Sequence, residues 1–507
     1  MEEPLSADSN SELVFGLIGA MGTDLDAVSL ILNEQLGAFG YISKQIRLSQ
    51  TLRELQGEPW ADIPPRNSPG YHKAAMDGGD TLCRRLQRRD AMAALATLAI
   101  SATRSNQVSG DQKVAYVLTS FKRPEEIDLL RKIYGPSFFV ISVYASRSSR
   151  VDRLSTVLHK AARRGRAGLF REEAEELITR DEKDDEESYG QDVRKTFPRA
   201  DLFVNSTSIA DLRSAINRFI ELLFGHLWHT PTQDEMGMAA AYLARLRSAS
   251  PARQVGAALM SRDGRLISTG MNDVPRAGGG QYWPGSPTDG RDFNYSQVDL
   301  SDEMRRDVLL DLLHRLKGDL VEGSDAYQVC IGAKDVVRLP KLREARLFDT
   351  IDFIRSVHAE TSAILSASSY ADFEGSTLYV TTFPCHECAR HIVMVGITRV
   401  VYVEPYPKSL VAELYKDSVV VDSPSENSDR VSFRSCVGIA PRLYEALFDA
   451  SRKTRKNNEG VLASWVPSRT IPHISESYSS DISRVLEAEE QAKFLQAVGL
   501  AGVNFNS

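Results

Sequence analysis

The sequence predicts two successive α/β domains in one soluble chain. The 507 residues exceed the roughly 250–300 at which a single core stops growing. Short apolar runs rich in Val, Ile and Phe alternate with segments of helical spacing, which implies mostly parallel sheets covered on both faces. The pattern pauses near Gln233 and begins again with a hairpin, so the domains are expected at 10–232 and 233–507.

In the first domain the segment ELVFGLIGAMGTDLDAVSLILNEQL reads as strand, glycine turn and helix. Leu25, Val28, Leu32 and Leu36 recur at helical spacing, and Thr23 or Asp24 can cap the helix. Further strands are expected at Val114–Phe121, Ser137–Ala145 and Ala200–Ser206, followed by a helix over Asp211–Phe224. This order predicts a P-loop-like three-layer α/β domain. A working phosphate loop has G-x-x-x-x-G-K-[ST], with amides, lysine and hydroxyl converging on phosphate and magnesium. From Gly19 this chain reads G-A-M-G-T-D-L-D. Gly22 is present, but Asp24, Leu25 and Asp26 stand where the second glycine, lysine and hydroxyl belong. Two carboxylates at that helix start would repel phosphate. Acidic residues crowd Glu172–Glu187, which reads as a solvated helix face and loop or as a flap over a nucleotide site.

The second domain opens with a helix over Glu235–Leu246 and two strands flanking Asp263-Gly264. A turn-rich insertion at about 271–349 carries Tyr282 and Trp283, which suggest an ordered lid or a partner contact. Order returns with a helix over Ile351–Ser366, strand STLYVTTF, helix Cys385–Val395 and strand RVVYVEPY. The last fifty residues hold a basic loop at Arg452–Asn458 and a helix near Ile482–Val498, to which no chemistry is assigned.

Composition narrows the function classes. The 68 acidic residues outnumber 61 Lys and Arg to leave a charge of -7, which speaks against a protein that holds long nucleic acid through its phosphates. The opening MEEPLSADSN lacks the basic start and apolar run of a secretory signal, and Ala91–Ile100 is too short to span a bilayer. A cytoplasmic protein without a membrane partner is expected. Five cysteines are too few for a disulfide framework, and Cys83, Cys330 and Cys436 read as isolated, inert thiols.

Cys385 and Cys388 are different. Two thiolates three positions apart on one turn point the same way, and a helix start favours their anionic form. His358 supplies a third ligand, and three protein ligands leave tetrahedral zinc one open corner, as a catalytic site requires. His386 or His391 could instead close the site as a structural fourth ligand. Glu360, two residues after His358, is placed beside the open corner, where a carboxylate can carry protons to and from an attacking water.

The pair HAE and PCHEC resembles the H-x-E…P-C-x-x-C signature of the cytidine and deoxycytidylate deaminase superfamily. The blocks NDVPRAGGGQYW, LYVTTFPCHECAR, VVYVEPYPKSLVAELYKD and FRSCVGIAPRLYEALF are similar to the bacterial two-domain anti-phage dCTP deaminases. GLIGAMGTDLD and FKRPEEIDLLRKIYG extend that likeness into the first domain. The resemblance implies a cytidine-deaminase-like α/β/α sandwich holding Zn2+, deaminating dCTP and perhaps dCMP to the deoxyuridine form and so depleting the dCTP pool during phage infection. It also implies a homo-oligomer and a nucleotide-kinase-like first domain that is regulatory, sensing a nucleotide, an inhibitory RNA or a protein factor. Asn272 looks like the family asparagine that contacts the sugar, though pattern alone makes it a turn residue. Thr381 and Thr382 lie at a strand end bordering the base pocket, and Lys408 could meet a phosphate. The same zinc core could serve another free nucleotide or a base in RNA or DNA, or brace an inactive sensor.

Overall fold

The computed structural model describes residues 12–56, 59–105, 113–162, 170–182, 189–296, 298–317, 353–367, 369, 373–405, 409–422, 429–451, 454–467, 472, 480–500 and 504–505. The chain divides into two compact units, one of residues 1–235 with 435–507 and one of 236–434. No helix among the described residues is long and apolar enough to cross a membrane.

The first unit contains β1 (Leu13–Gly19), β2 (Tyr41–Arg47), the two-residue β3 (Leu55–Gln56), β4 (Lys113–Phe121), β5 (Phe138–Tyr144) and β6 (Leu202–Asn205). Its sheet runs β2-β4-β1-β5-β6, and every one of these pairings is parallel. All seven residues of β1 are buried, as a central strand covered on both faces requires. Leu13, Phe15 and Leu17 share a core with Val28, Ile31 and Leu32 of the helix Leu25–Gly37 and with Leu212, Ile216 and Phe219 of the helix Ile209–Leu223. Helices Ala91–Ser105 and Pro124–Tyr134 pack against β4 and β5. Strand order reverses at β1, so the C-terminal ends of β1 and its neighbours open onto a crevice.

The second unit holds β7 (Gly256–Met260), β8 (Leu266–Met271), β9 (Thr377–Thr382), β10 (Arg399–Glu404), β11 (Val419–Val421) and β12 (Val431–Ser435), in the order β11-β12-β10-β9-β7-β8. β7 is antiparallel to both β8 and β9, whereas β9 and β10 are parallel. Two glycines let helices approach the two faces of this sheet. A Cβ on Gly256 would run into the backbone of Ala241 and Arg245 in the helix Gln233–Arg245, and one on Gly270 into that of Ala359 and Ala363 in the helix Ala359–Leu365. Gly270 pairs with Ala257, the neighbour of Gly256 along β7, so the two helices lie on opposite faces. An α/β/α sandwich results.

Three expectations need adjustment. The helix expected from Ile351 begins at Ala359, because His358 is extended and occupies the N-cap. Of the insertion, 271–296 and 298–317 are described, with a helix over Leu300–Lys317, while 318–349 and Cys330 lie outside the described residues. Arg247 holds the earlier part, its guanidinium lying 3.4 Å over the Trp283 ring and donating to the Tyr282 carbonyl at 2.9 Å. Finally, the second domain was expected to run to residue 507, yet the chain returns to the first unit. There β13 (Gly438–Ile439) adds antiparallel to β6 and β14 (Asn504–Phe505) pairs with β3. The helix Ser480–Leu500 packs on Ala91–Ser105, with Arg88 bonded to Glu490 at 2.6 Å and Arg104 to Glu487 at 3.1 Å.

Candidate functional site

Each metal-ligand candidate sits where a loop becomes a helix. His358 caps Ala359–Leu365, and Cys385 caps His386–Val395, its sulfur accepting from the Cys388 amide at 3.4 Å. The loop before His358 is tied to the end of β8 by two backbone bonds between Val357 and Asp273, at 3.0 and 3.3 Å. β9 delivers Cys385 through Phe383, whose amide donates to the Glu404 carbonyl at 2.8 Å.

His358 Nδ1 lies 3.2 Å from Cys388 Sγ and 3.3 Å from Cys385 Sγ. Zinc–sulfur bonds of about 2.3 Å and zinc–nitrogen bonds of about 2.0 Å in a tetrahedron put ligand atoms roughly 3.6 Å apart, so this donor set fits zinc with little movement. The hydrogen bond from Cys388 holds the Cys385 thiol down at about 4, with His358 acting in the same sense. Cys388 is pushed up in turn. A bound cation keeps both as thiolates. Burial draws His358 down, but the Cys385 hydrogen bond and the Glu360 charge outweigh it and hold the imidazole above its ordinary value.

Glu360 is only 4% exposed. Burial raises its carboxyl above the ordinary value against the opposing pull of His358. A buried carboxyl whose two protonation states are drawn together in energy is suited to passing a proton. His391 bonds Thr361 Oγ1 at 3.3 Å, and Thr361 in turn lies 3.8 Å from the Cys388 sulfur. Neither His391 nor His386 joins the metal-binding group formed by His358, Cys385 and Cys388 among the described residues.

Three of the four expected substrate residues are engaged within the fold. Asn272 accepts from the Val255 amide at 2.7 Å and donates to the Arg253 carbonyl at 2.8 Å. Thr381 accepts from the Gly256 amide at 3.1 Å, and Thr382 donates to Glu404 at 3.4 Å. Lys408 lies outside the described residues. Sequence reasoning passed over Arg253, which pairs with Glu404 at 3.1 Å and whose charge reaches His358. Nothing local in SPARQVG marks it, because its partner lies 151 residues away.

In the first unit the glycine loop follows β1. Gly22 has a φ of 90° and its Cα faces the Arg150 backbone, where an added Cβ would meet the carbonyl oxygen at 2.5 Å. A Cβ on Gly19 would collide with Thr23 of the same loop. Asp24 caps the following helix, accepting from Ala27 at 3.0 Å, and pairs with Arg153. Leu25 packs on the core, and Asp26 binds both Arg47 and Arg66. These arginines offset the two carboxylates, a compensation the linear motif does not reveal.

A family model for the cytidine and deoxycytidylate deaminase zinc-binding region matches residues 231–404. The deoxycytidylate deaminase of Enterobacteria phage T2 is 32% identical over 171 residues, covering 33% of this chain and 78% of the phage protein. That of phage T4 is 32% identical over 170 residues, covering 33% and 76%. The mouse deoxycytidylate deaminase is 25% identical over 168 residues, covering 33% and 62%. The matched region contains His358, Glu360, Cys385 and Cys388 together with strands β7 to β10, and the chain belongs to the cytidine and deoxycytidylate deaminase family.

Proposed function

We propose that the second unit hydrolytically deaminates free deoxycytidine nucleotides, dCTP and also dCMP, with Glu360 as the proton carrier beside His358, Cys385 and Cys388. The observation that carries this reading is a carboxyl 4% exposed, two residues from an imidazole that lies within 3.3 Å of both sulfurs. Zinc bound by these three ligands supplies a water acidified to a pKa near 7 and polarised for attack. Glu360 takes one proton from the attacking water and passes it to the ring nitrogen beside C4, then takes the second from the hydroxyl now on C4, which becomes the carbonyl, and delivers it to the exocyclic amine. A C–O bond forms at C4, the C–N bond breaks, and ammonia leaves.

Arg253 is 41% exposed at its side chain and carries charge close to the site, which suits a nucleotide phosphate. Lys408 is proposed as a second phosphate contact. Thr381 and Thr382 shape the pocket wall through their bonds to Gly256 and Glu404. Asn272 braces the neighbouring loop and reaches the sugar by exchanging one of its two backbone bonds. The cellular role proposed is depletion of the dCTP pool against phage, by a cytoplasmic homo-oligomer. The first unit, its loop lacking lysine and hydroxyl, serves regulation through a nucleotide, an RNA or a protein factor.

Incubating the full chain with a panel of nucleotides and oligonucleotides, followed by chromatography, tests this. Wild type converts dCTP and dCMP with release of ammonia, and Glu360→Ala loses about 10²–10⁴-fold in rate while retaining its zinc. Unchanged dCTP and dCMP beside an altered oligonucleotide would overturn the assignment.

A further inference from the structure

The first unit encloses a cavity of about 390 Å³ at the C-terminal ends of β1 and β4, where the strand order reverses. Small-molecule sites in open parallel sheets form at this position, and their volumes run from about 300 to 1,000 Å³. Two residues lining the cavity, Met21 and Lys122, already hold an anion of the protein's own. The Met21 amide of the glycine loop donates to Asp181 Oδ2 at 2.6 Å. Lys122 Nζ pairs with the other Asp181 oxygen at 2.7 Å and donates to the Gly19 carbonyl at 3.0 Å. Asp181 is fully buried and is carried on the helix Arg171–Glu182. Its carboxylate sits on the Met21 amide of the glycine loop, where a phosphate oxygen sits in phosphate-binding loops.

The rest of the cavity has unused recognition groups. Thr119 and Gln191 line it, 1% and 5% exposed, and the Thr119 hydroxyl and the Gln191 amide oxygen have no hydrogen-bond partner among the described residues. Thr119 precedes Ser120, whose φ of 81° marks a bulge where β4 slips by one residue against β1. Leu48, Leu52 and Met76 form an apolar wall. At the mouth Arg47 and Arg66 share Asp26, with guanidinium-bearing side chains 19% and 38% exposed. Such solvent-screened pairs exchange partners readily, and a phosphate offers the guanidinium planes forked, charge-assisted bonds.

We propose that this cavity binds a nucleoside monophosphate, with the heterocycle on the apolar wall, its polar edge bonded by Thr119 and Gln191, its phosphate on Arg47 and Arg66, and Asp181 excluding a polyphosphate tail from the loop. The proposal rests on reading the first unit as a sensor. One phosphate suffices for the mouth arginines, while a triphosphate needs the glycine loop, whose Met21 amide Asp181 holds.

Hydrogen–deuterium exchange on the full-length Glu360→Ala protein, which does not consume its ligands, tests this with a panel of nucleoside monophosphates, ATP and inorganic phosphate. At least one monophosphate is expected to protect residues 19–26 and 119–123, with ATP and inorganic phosphate leaving them unchanged. Thr119→Val and Arg47→Gln, made in that background, weaken this binding about tenfold. Thermal melting of both variants is expected to match that of the parent, which reports that the first unit still folds. Asp181→Asn opens the seat, so that ATP protects 19–26. No protection by any monophosphate, equal protection by inorganic phosphate, protection of the parent protein by ATP, or unchanged affinity in both cavity variants would overturn the proposal. Transfer of phosphate from ATP to a bound nucleotide would instead overturn the sensor reading, and the deamination assay bears on neither.

Discussion

At the scale of single residues, the grouping of His358, Cys385 and Cys388 was legible because it is written in short spacings that helix starts turn into geometry. Arg253 and Asp181 were not, since each acquires meaning from a partner far along the chain. Asp26 illustrates the same point and gives a pH prediction. Burial works to raise its carboxyl, but the hydrogen bonds from Arg66 and Arg47 outweigh burial and hold it below the ordinary 3.8. A depressed folded value stabilises the protein above the unfolded value, and that stability is lost as pH falls through the folded one. Asp26→Asn is therefore expected to lower stability at neutral pH by no more than about 1 kcal/mol, the exposure of the pair limiting its worth. Well below pH 3.8 the variant and the parent should unfold alike, as thermal melts at the two pH values will report.

At the scale of elements, alternation and helical spacing located β1, β4, β5 and β6, all of which carry runs of buried apolar residues. β2 carries no such signal, because YISKQIR buries only Tyr41 and Ile46 firmly and exposes Ile42, Lys44 and Gln45 between them. The helix bearing Glu360 starts later than its apolar pattern suggests, since that pattern runs on from Ile351 through Phe353 while the extended backbone of His358 places the first helical residue at Ala359. What holds that helix in place is a glycine on the facing strand. Gly270→Val puts a side chain into the backbone of Ala359 and Ala363 and pushes the helix off the sheet, taking His358 with it. A destabilisation of about 1–3 kcal/mol and faster loss of zinc to a chelator are expected. Wild-type melting and zinc retention in this variant would show that the close approach does not position the ligand. Gly396→Ala is the control. That residue ends the helix His386–Val395 at a φ of 87° with open space around it, so its cost is confined to about 1 kcal/mol of backbone strain.

Across the whole molecule, the two-unit organisation was legible from length and from the restart of the strand pattern, but the return of the C-terminus was not. A chain that leaves a unit and comes back has no local signature; only buried residues such as Phe494 and Val498 reveal it. Gln491 donates to the Thr97 carbonyl at 3.0 Å and the flanking ion pairs fix the helix in register. Phe494→Ala is expected to cost the first unit about 3–5 kcal/mol in urea unfolding, and a cost within experimental error would show that the terminal helix is not part of its core. The same long-range logic applies to the metal centre, where three ligands converge from two helix starts 27 residues apart. X-ray absorption at the zinc edge of the active full-length protein tests that convergence most directly. Two sulfurs at about 2.3 Å and a single imidazole are predicted; a second imidazole from His386 or His391, or fully active protein without zinc, would contradict the account.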